Sequence, residues 1–279
     1  MKTAASIGIP IPRTMCLQRY PGEQISAEKC RGLSYPVVVK PSRSCIKTDF
    51  GWHKSGVKYA VDESQLKETL ALSAKRGEYP LLLQEKIRGE GVGVFLLVQK
   101  GETIAKFSHR RLREKPPSGG VSVLRESIGM DDELLFYSEC LLKALAWEGV
   151  AMVEFKRDEV RGGFRLMEVN GRFWGSLQLA IDAGVNFPLL LAERAQGRHI
   201  HSSGQYKIGT RLRWLWGDAD SLIAVLKGSD KRAQHTCGKL KSVLNFLRFF
   251  GKDLRYEVFD RDDMGPWIFE TRNWLAGKS

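Results

Sequence analysis

Runs of apolar and polar residues divide the first third of the chain into short elements. YPVVVKP predicts a short strand, Val57–Val61 a partner strand and PLLLQEKI a buried strand. SRSCIKTDFGWHKSGV is polar and contains glycine, which predicts a loop. Asp62–Arg76 has the spacing of an amphipathic helix capped by Asp62, and AASIGIPIPRT is typical of a helix end followed by an extended segment. This alternation predicts a small α/β unit.

A second, larger unit follows Gly89. GVGVFLLVQKGETIAKFSHRRLRE predicts a hairpin that turns at Lys100-Gly101, followed by the loop PPSGG and the strand VSVLRES. A helix over 131–147 precedes the strands VAMVEFKR and FRLMEVN, which are joined by a turn at Gly162-Gly163. LQLAIDAG and Leu189–Ala195 predict two further helices.

The pattern changes again beyond residue 204. RLRWLWGDADSLIAVLKG and LKSVLNFLRFFG predict helices on either side of a Ser-Asp-Lys-Arg linker. Packing within the chain is the favoured explanation for the apolar stripe of 239–252. The basic residues of this segment leave an anionic membrane or a nucleic acid as the alternative.

Composition and charge narrow the class of protein. With 279 residues, of which 43% are hydrophobic and 27% charged, the chain can bury a substantial core. It has no apolar run long enough for a bilayer and no signal-peptide pattern, so we expect a cytoplasmic protein. The net charge of +12 suits nucleic acid, an anionic surface or phosphorylated ligands, but the basic residues are scattered and show no zinc-finger spacing, which argues against specific nucleic-acid binding. The five cysteines form no CxxC pair and are predicted to be reduced thiols.

Glu168 and Asn170 form the most informative pair in the sequence. They stand two residues apart on the apolar strand FRLMEVN, so their side chains point to one face. Arg172 and a Gly-Ser turn follow directly. A carboxylate and an amide oxygen beside an arginine suit a hard cation and a phosphate, which predicts magnesium carrying a nucleotide.

Five segments occur in an order that resembles the ATP-grasp superfamily, particularly its carbamoyl-phosphate-synthase-like carboxylate-amine ligases. They are VVVKP, QEKIRGE, SHRRLRE with PPSGG, VEFK and MEVNGRFWGS, and they lie within 37–196. The resemblance implies an α+β, ATP-grasp fold in which two α+β subdomains clasp ATP, followed here by a helical C-terminal extension. It also implies transfer of the γ-phosphate to a carboxylate and attack of an amine on the acyl phosphate.

The resemblance implies a set of nucleotide-binding residues. Lys40 would bind phosphate, although taken alone a lysine at a strand end is more typical of a solvated surface. Glu85, Lys86 and Ile87 would form the hinge segment, with backbone groups at Lys86 and Ile87 pairing with the adenine edge. Glu90 would accept hydrogen bonds from the ribose, and an exposed turn acid is its alternative interpretation.

The metal and phosphoryl-transfer residues are implied in the same way. Glu154, Glu168 and Asn170 would hold Mg²⁺ or Mn²⁺; taken alone, Glu154 is more typical of a solvent-facing stripe. Arg172 would hold the transferred phosphoryl group, and it follows Gly171 where the family usually has proline.

His109 and Arg111 share one face of a strand that the family directs towards the phosphates and the acceptor carboxylate. A basic edge strand that discourages aggregation is the alternative for both residues. Phe173, Trp174 and Trp147 are expected to pack in the core.

Four segments follow from the resemblance. Residues 1–35 would be a helix and linker left from an N-terminal domain that the family normally carries, so Met1 could be an internal methionine. Residues 36–88 would form the small subdomain, 89–204 the large subdomain with the metal site, and 205–279 the C-terminal extension.

The predicted activity is therefore an ATP- and Mg²⁺-dependent ligase that joins a small-molecule carboxylate to an amine. An ATP-grasp kinase and a non-catalytic, truncated ATP-binding or interaction module are the alternatives. A homo-oligomer is compatible with each activity.

Overall fold

The computed structural model describes residues 1–18, 32–41, 45–48, 51–54, 56–76, 80–198, 204–228, 238–248, 251 and 253–277. The chain divides into two compact units, one comprising Met1–Gly89 and Arg157–Met167 and the other Glu90–Lys156 and Glu168–Ser279. None of the helices in the described ranges is long and apolar enough to cross a membrane. The polar linker predicted at 229–232 and two of the cysteines, Cys30 and Cys237, lie outside these ranges, whereas Cys16 and Cys140 are free thiols.

The first unit contains a four-stranded antiparallel sheet and one long helix. Its elements are α1 (Lys2–Ser6), β1 (Thr14–Leu17), β2 (Val37–Pro41), β3 (Cys45–Thr48), β4 (Gly51–Lys54), β5 (Lys58–Ala60), α2 (Glu63–Lys75) and β6 (Leu81–Glu85). The strand order in the sheet is β1-β6-β2-β5. In α2, the carboxylate of Asp62 accepts from the backbone N–H of Gln65 at 2.8 Å, which confirms the predicted cap. Leu66 and Leu70, one turn apart, are buried against the sheet, and each contributes roughly 1.5–3 kcal/mol by its burial.

The interpretation of 42–57 as a loop is wrong in part. β3 and β4 pair as an antiparallel hairpin in which Thr48 lies opposite Gly51. The pairing uses backbone hydrogen bonds, which form whether the side chains are polar or apolar, so the polar composition of this segment gave no strand signal.

A seven-stranded sheet lies mostly in the second unit, although two of its strands include residues of the first unit, Arg157 and Phe164–Met167. The elements of this part of the chain are β7 (Gly91–Gln99), β8 (Glu102–Lys115), β9 (Val121–Ser127), α3 (Asp132–Ala144), β10 (Gly149–Arg157), β11 (Phe164–Asn170), α4 (Leu177–Asp182), α5 (Phe187–Ala195), β12 (Arg211–Arg213), α6 (Leu215–Lys227), α7 (Lys239–Phe246), β13 (Leu254–Tyr256) and α8 (Gly265–Leu275). The strand order is β11-β10-β7-β8-β9-β12-β13. β7 is buried along nearly its whole length, which explains its continuous apolar sequence.

The predicted hairpin of β7 and β8 is confirmed. Lys100 and Gly101 have φ angles of 51° and 79°, the left-handed geometry that a tight hairpin turn requires. Beside the turn, one face of the sheet packs under α4 and α5 through an aromatic core that includes Phe95, Phe107 and Trp174. Trp174 is buried 4.3 Å from the ring of Phe95, as the sequence predicts.

The segment after residue 204 contributes strands as well as helices. β12 pairs antiparallel with β9, and β13 extends the sheet parallel to β12. Three-residue strands are too short to show a period of two, so the sequence predicted only helices here. These strands make the C-terminal segment part of the second unit.

Candidate active site

The nucleotide-binding residues predicted in the first unit lie on neighbouring strands. Lys40 is the fourth residue of β2 and pairs with Leu82 of β6, while Glu85 at the end of β6 pairs with Val37. The valines of β2 are buried, and Lys40 is only partly exposed at the end of this apolar strand. Lys86 places its ammonium 5.5 Å from the centre of the Tyr59 ring, and Ile87 is buried.

Glu85 is held by partners within the same unit. Its carboxylate is buried and accepts two hydrogen bonds from the Arg161 guanidinium and one from the backbone N–H of Arg13. The hydrogen bond from Arg161 holds the pKa of Glu85 below its usual value, with burial acting in the opposite direction. The side chain of Glu85 therefore fixes the end of the strand.

In the second unit, the side chain of Arg111 extends across β7 to a carboxylate on β10. Its Nη2 donates to Oε2 of Glu154 at 2.5 Å, although Arg111 is on β8 and Glu154 on β10, with β7 between them. β7 carries Gly91 and Gly93 at this point, and a Cβ at Gly91 would lie 3.0 Å from Cδ of Arg111. Gly91 thus leaves room for the arginine to lie across the sheet, whereas a Cβ at Gly93 would meet the rings of Phe95 and His109.

Further carboxylates surround this ion pair. Nη1 of Arg111 donates to Oε1 of Glu114 at 3.0 Å. Glu168 interacts electrostatically with both Arg111 and Glu154, and the amide nitrogen of Asn170 donates to Oε1 of Glu168 at 2.8 Å. The structure thus brings together Arg111 and the three side chains predicted to bind metal.

Burial and charge act against each other in this cluster. Burial raises the pKa of Glu154, the guanidinium of Arg111 opposes that rise, and the carboxylates of Glu168 and Glu114 add to it. Burial alone would lower the pKa of Arg111, but Glu154 and Glu114 outweigh it and raise the pKa. The positive charge of Lys156 also opposes the rise in the pKa of Glu154, so two cations, Arg111 and Lys156, act on this carboxylate.

The donor set is suitable for Mg²⁺. Glu154 and Glu168 offer carboxylate oxygens and Asn170 an amide oxygen, and Mg²⁺ binds such oxygens together with water and phosphate. Among the described residues, no group of three or more His, Cys, Asp or Glu side chains is arranged to hold a metal ion. A site of two carboxylates and one amide would therefore depend on phosphate or water for its remaining ligands.

His109 lies on the same face as Arg111 but in an apolar environment. It is buried with its ring edge-on to Phe95, at 4.7 Å between ring centres, and neither ring nitrogen has a hydrogen-bond partner. Burial, aided by the charges of Arg111 and Arg125, holds the pKa of His109 well below its usual value. The imidazole is neutral at pH 7.

The remaining predicted residues lie at the surface. Arg172 is exposed and donates to the backbone carbonyl of Phe173 at 2.9 Å. A Cβ at the preceding Gly171 would lie 2.2 Å from the Trp147 ring, so the glycine that replaces the usual proline accommodates this tryptophan. Glu90 is half-exposed, 3.7 Å from Arg110.

Two ion-pair clusters in the C-terminal segment were not predicted. Arg125, buried and opposite Arg111 on β9, donates to the carboxylate of Glu257. The buried carboxylate of Asp218 accepts from both Arg113 and Arg213. These partners are up to 132 residues apart in the sequence, so no local spacing could indicate them.

The fold and the match to a protein family define the class of this chain, an ATP-grasp protein. Residues 78–217, half of the chain, match the family described as ATP-grasp in the biosynthetic pathway with Ter operon. The chain belongs to this family.

Solved structures share the fold at low sequence identity. L-amino acid ligase from Bacillus licheniformis is 18% identical with a TM-score of 0.56, over 75% of this chain and 50% of that one. N5-carboxyaminoimidazole synthetase from Staphylococcus aureus is 14% identical with a TM-score of 0.58, over 84% and 58%. The biotin carboxylase domain dimer of Hydrogenobacter thermophilus 2-oxoglutarate carboxylase, solved with MgADP, ADP and bicarbonate, is 16% identical with a TM-score of 0.55, over 75% and 47%.

The similarity to solved structures covers only part of each of those proteins. The chain spans about half the length of these solved proteins. A comparison with curated protein sequences finds no match.

Proposed function

We propose that the chain catalyses, or supplies the nucleotide-binding part of, an ATP- and Mg²⁺-dependent ligation of a carboxylate to an amine. The observation that carries the proposal is the cluster of Arg111, Glu154, Glu168 and Asn170 in a chain of the ATP-grasp family. A similar fold was solved with MgADP, and others belong to proteins named as a ligase and a synthetase, which supports this class of reaction.

The proposed roles of the first group of residues concern the nucleotide. Lys40 would bind its phosphates, and the backbone at Lys86 and Ile87, fixed by the buried side chain of Glu85, would bind the adenine. Glu90 would accept from the ribose hydroxyls. The cytoplasmic location expected from the sequence stays a prediction, and a homo-oligomer stays compatible with the proposed function.

The second group would bind metal and stabilise the transferred group. Glu154, Glu168 and Asn170 would hold Mg²⁺, which when bound supplies positive charge to the phosphate oxygens. Arg111 and Arg172 would add permanent positive charge at the transferred phosphoryl group, where negative charge is concentrated. Neutral His109 would contribute by packing or by donating one hydrogen bond, because its low pKa prevents it from carrying charge at pH 7.

In the proposed reaction, a carboxylate oxygen attacks the γ-phosphorus of ATP and ADP leaves. The amine nitrogen then attacks the acyl carbon, phosphate leaves with the original carboxylate oxygen, and the amine loses a proton. The chain's contribution is to position the reactants and neutralise charge.

A panel of carboxylates labelled with ¹⁸O, each paired with a mixture of amines, tests the proposal. Ligation through an acyl phosphate transfers one ¹⁸O atom to inorganic phosphate, and formation of ADP requires the carboxylate. A phosphorylated acceptor without release of phosphate would instead indicate a kinase. Binding of Mg-ATP without turnover on any panel member would favour an interaction module.

A further inference from the structure

Glu114 shares the guanidinium of Arg111 with Glu154. Nη1 of Arg111 donates to Glu114 at 3.0 Å and lies 3.3 Å from the backbone carbonyl of Gly120, while Nη2 donates to Glu154. The side chains of Arg111 and Glu114 are each 15% exposed and that of Glu154 is 9% exposed. The two ends of the guanidinium therefore have separate partners, one of which is a predicted metal ligand.

An irregularity in β8 makes this sharing possible. Residues three apart on a regular strand point to opposite faces. The pairing of β8 with β9 shifts between Arg111 and Arg113 and again between Arg113 and Glu114. Such bulges re-aim side chains, and here Glu114 reaches the face on which Arg111 lies.

We propose that Glu114 is a positioning residue for the phosphoryl-transfer step: it retains Arg111 at the sheet end when the metal takes Glu154, so that the freed Nη2 faces the phosphates. This inference rests on the proposed function. The metal and the guanidinium of Arg111 both draw on the negative charge of the Glu154 carboxylate, and their positive charges repel each other, so the metal and Arg111 compete for it. Glu114 and the Gly120 carbonyl prevent the released guanidinium from leaving the site.

The competition predicts opposite effects of one substitution on two ligands. Arg111→Met removes a positive charge adjacent to the carboxylates, so Mn²⁺ added without nucleotide should bind at least about tenfold more tightly than to the wild type. The same variant should bind Mg-ATP at least about tenfold more weakly, because the phosphates lose a cationic donor. Arg110→Met is the matched control: it removes the same charge from the adjacent residue, whose guanidinium pairs with Glu126 instead, and should leave Mn²⁺ affinity unchanged.

A double-mutant cycle tests the role of Glu114. Glu114→Gln should weaken Mg-ATP binding in the wild type but cause no further loss in the Arg111→Met background, since its effect acts through Arg111. Free Mn²⁺ is measured by electron paramagnetic resonance and Mg-ATP binding by calorimetry, on variants whose urea midpoints show that they fold. Arg111→Gln replaces Arg111→Met if the latter fails to fold.

The possible outcomes separate the two proposals. Unchanged or weaker Mn²⁺ binding by Arg111→Met overturns the competition, and an equal loss from Glu114→Gln in both backgrounds overturns the positioning role. Failure of the folded wild type to bind Mg-ATP would instead contradict the proposed function, while the Mn²⁺ measurement would still decide the competition.

Discussion

Asp218→Asn removes the charge that holds two arginines against α6. The carboxylate of Asp218 is 2% exposed and accepts from Nε and Nη2 of Arg113 at 2.7 and 2.6 Å and from Nε of Arg213 at 2.7 Å. The side chain of Arg213 is 1% exposed, so water cannot replace the lost partner. Breaking a buried pair of this kind costs about 3–5 kcal/mol, because it leaves an uncompensated charge in the interior. That is a large part of the roughly 5–15 kcal/mol that stabilises a typical domain.

Urea unfolding followed by tryptophan fluorescence measures this cost. Six of the seven tryptophans belong to the second unit, so the signal reports on the unit that contains Asp218. Asp253→Asn is the matched control, because Asp253 pairs with Lys207 at 2.6 Å with both side chains about half-exposed, and such pairs contribute at most about 1 kcal/mol. A loss below about 1 kcal/mol for Asp218→Asn, or equal losses in the two variants, would refute the argument that this buried cluster stabilises the C-terminal segment.

Two further predictions follow from buried contacts. The low pKa of His109 means that the unfolded chain gains a proton below pH 6.5 that the folded chain does not, so wild-type stability should fall by up to about 1.4 kcal/mol per pH unit between pH 6.5 and the folded pKa. His109→Leu should flatten this slope in urea unfolding at pH 7.5 and 5.5; identical slopes would contradict the assignment. Gly171→Pro should destabilise the second unit by roughly 1–3 kcal/mol through its clash with Trp147. Adding Trp147→Ala should recover part of the loss of thermal stability that the proline causes, whereas strict additivity would show that the clash is not the cause.

Local sequence patterns predicted the long elements well. Asp62 caps α2 as expected, and the turn at Lys100-Gly101 closes the β7–β8 hairpin. Both depend on chemistry within a few residues, namely a capping side chain and a residue pair that accepts positive φ. The sequence also placed Glu168 and Asn170 on one face, and their side chains are hydrogen-bonded.

Features that depend on distant partners could not be predicted. The spacing of Arg111 and Glu114 suggests opposite faces, and only the bulges in the β8–β9 pairing overturn it. The sequence shows glycine at position 171, but it does not show that the ring of Trp147 lies beside it. Tertiary packing determines both arrangements.

Calorimetric titration of Mg-ATP into the purified chain tests the proposed function most directly, because that function requires the chain to bind nucleotide and metal. Saturable binding is predicted, weakened about tenfold or more by Lys40→Ala and by Glu168→Ala, because each removes a charge-assisted contact worth about 1.5–3 kcal/mol. Glu63→Ala and Lys67→Ala, which break an exposed ion pair on α2, should leave the affinity unchanged. Absence of binding by the folded wild type, or binding that neither Lys40→Ala nor Glu168→Ala weakens, would contradict the account.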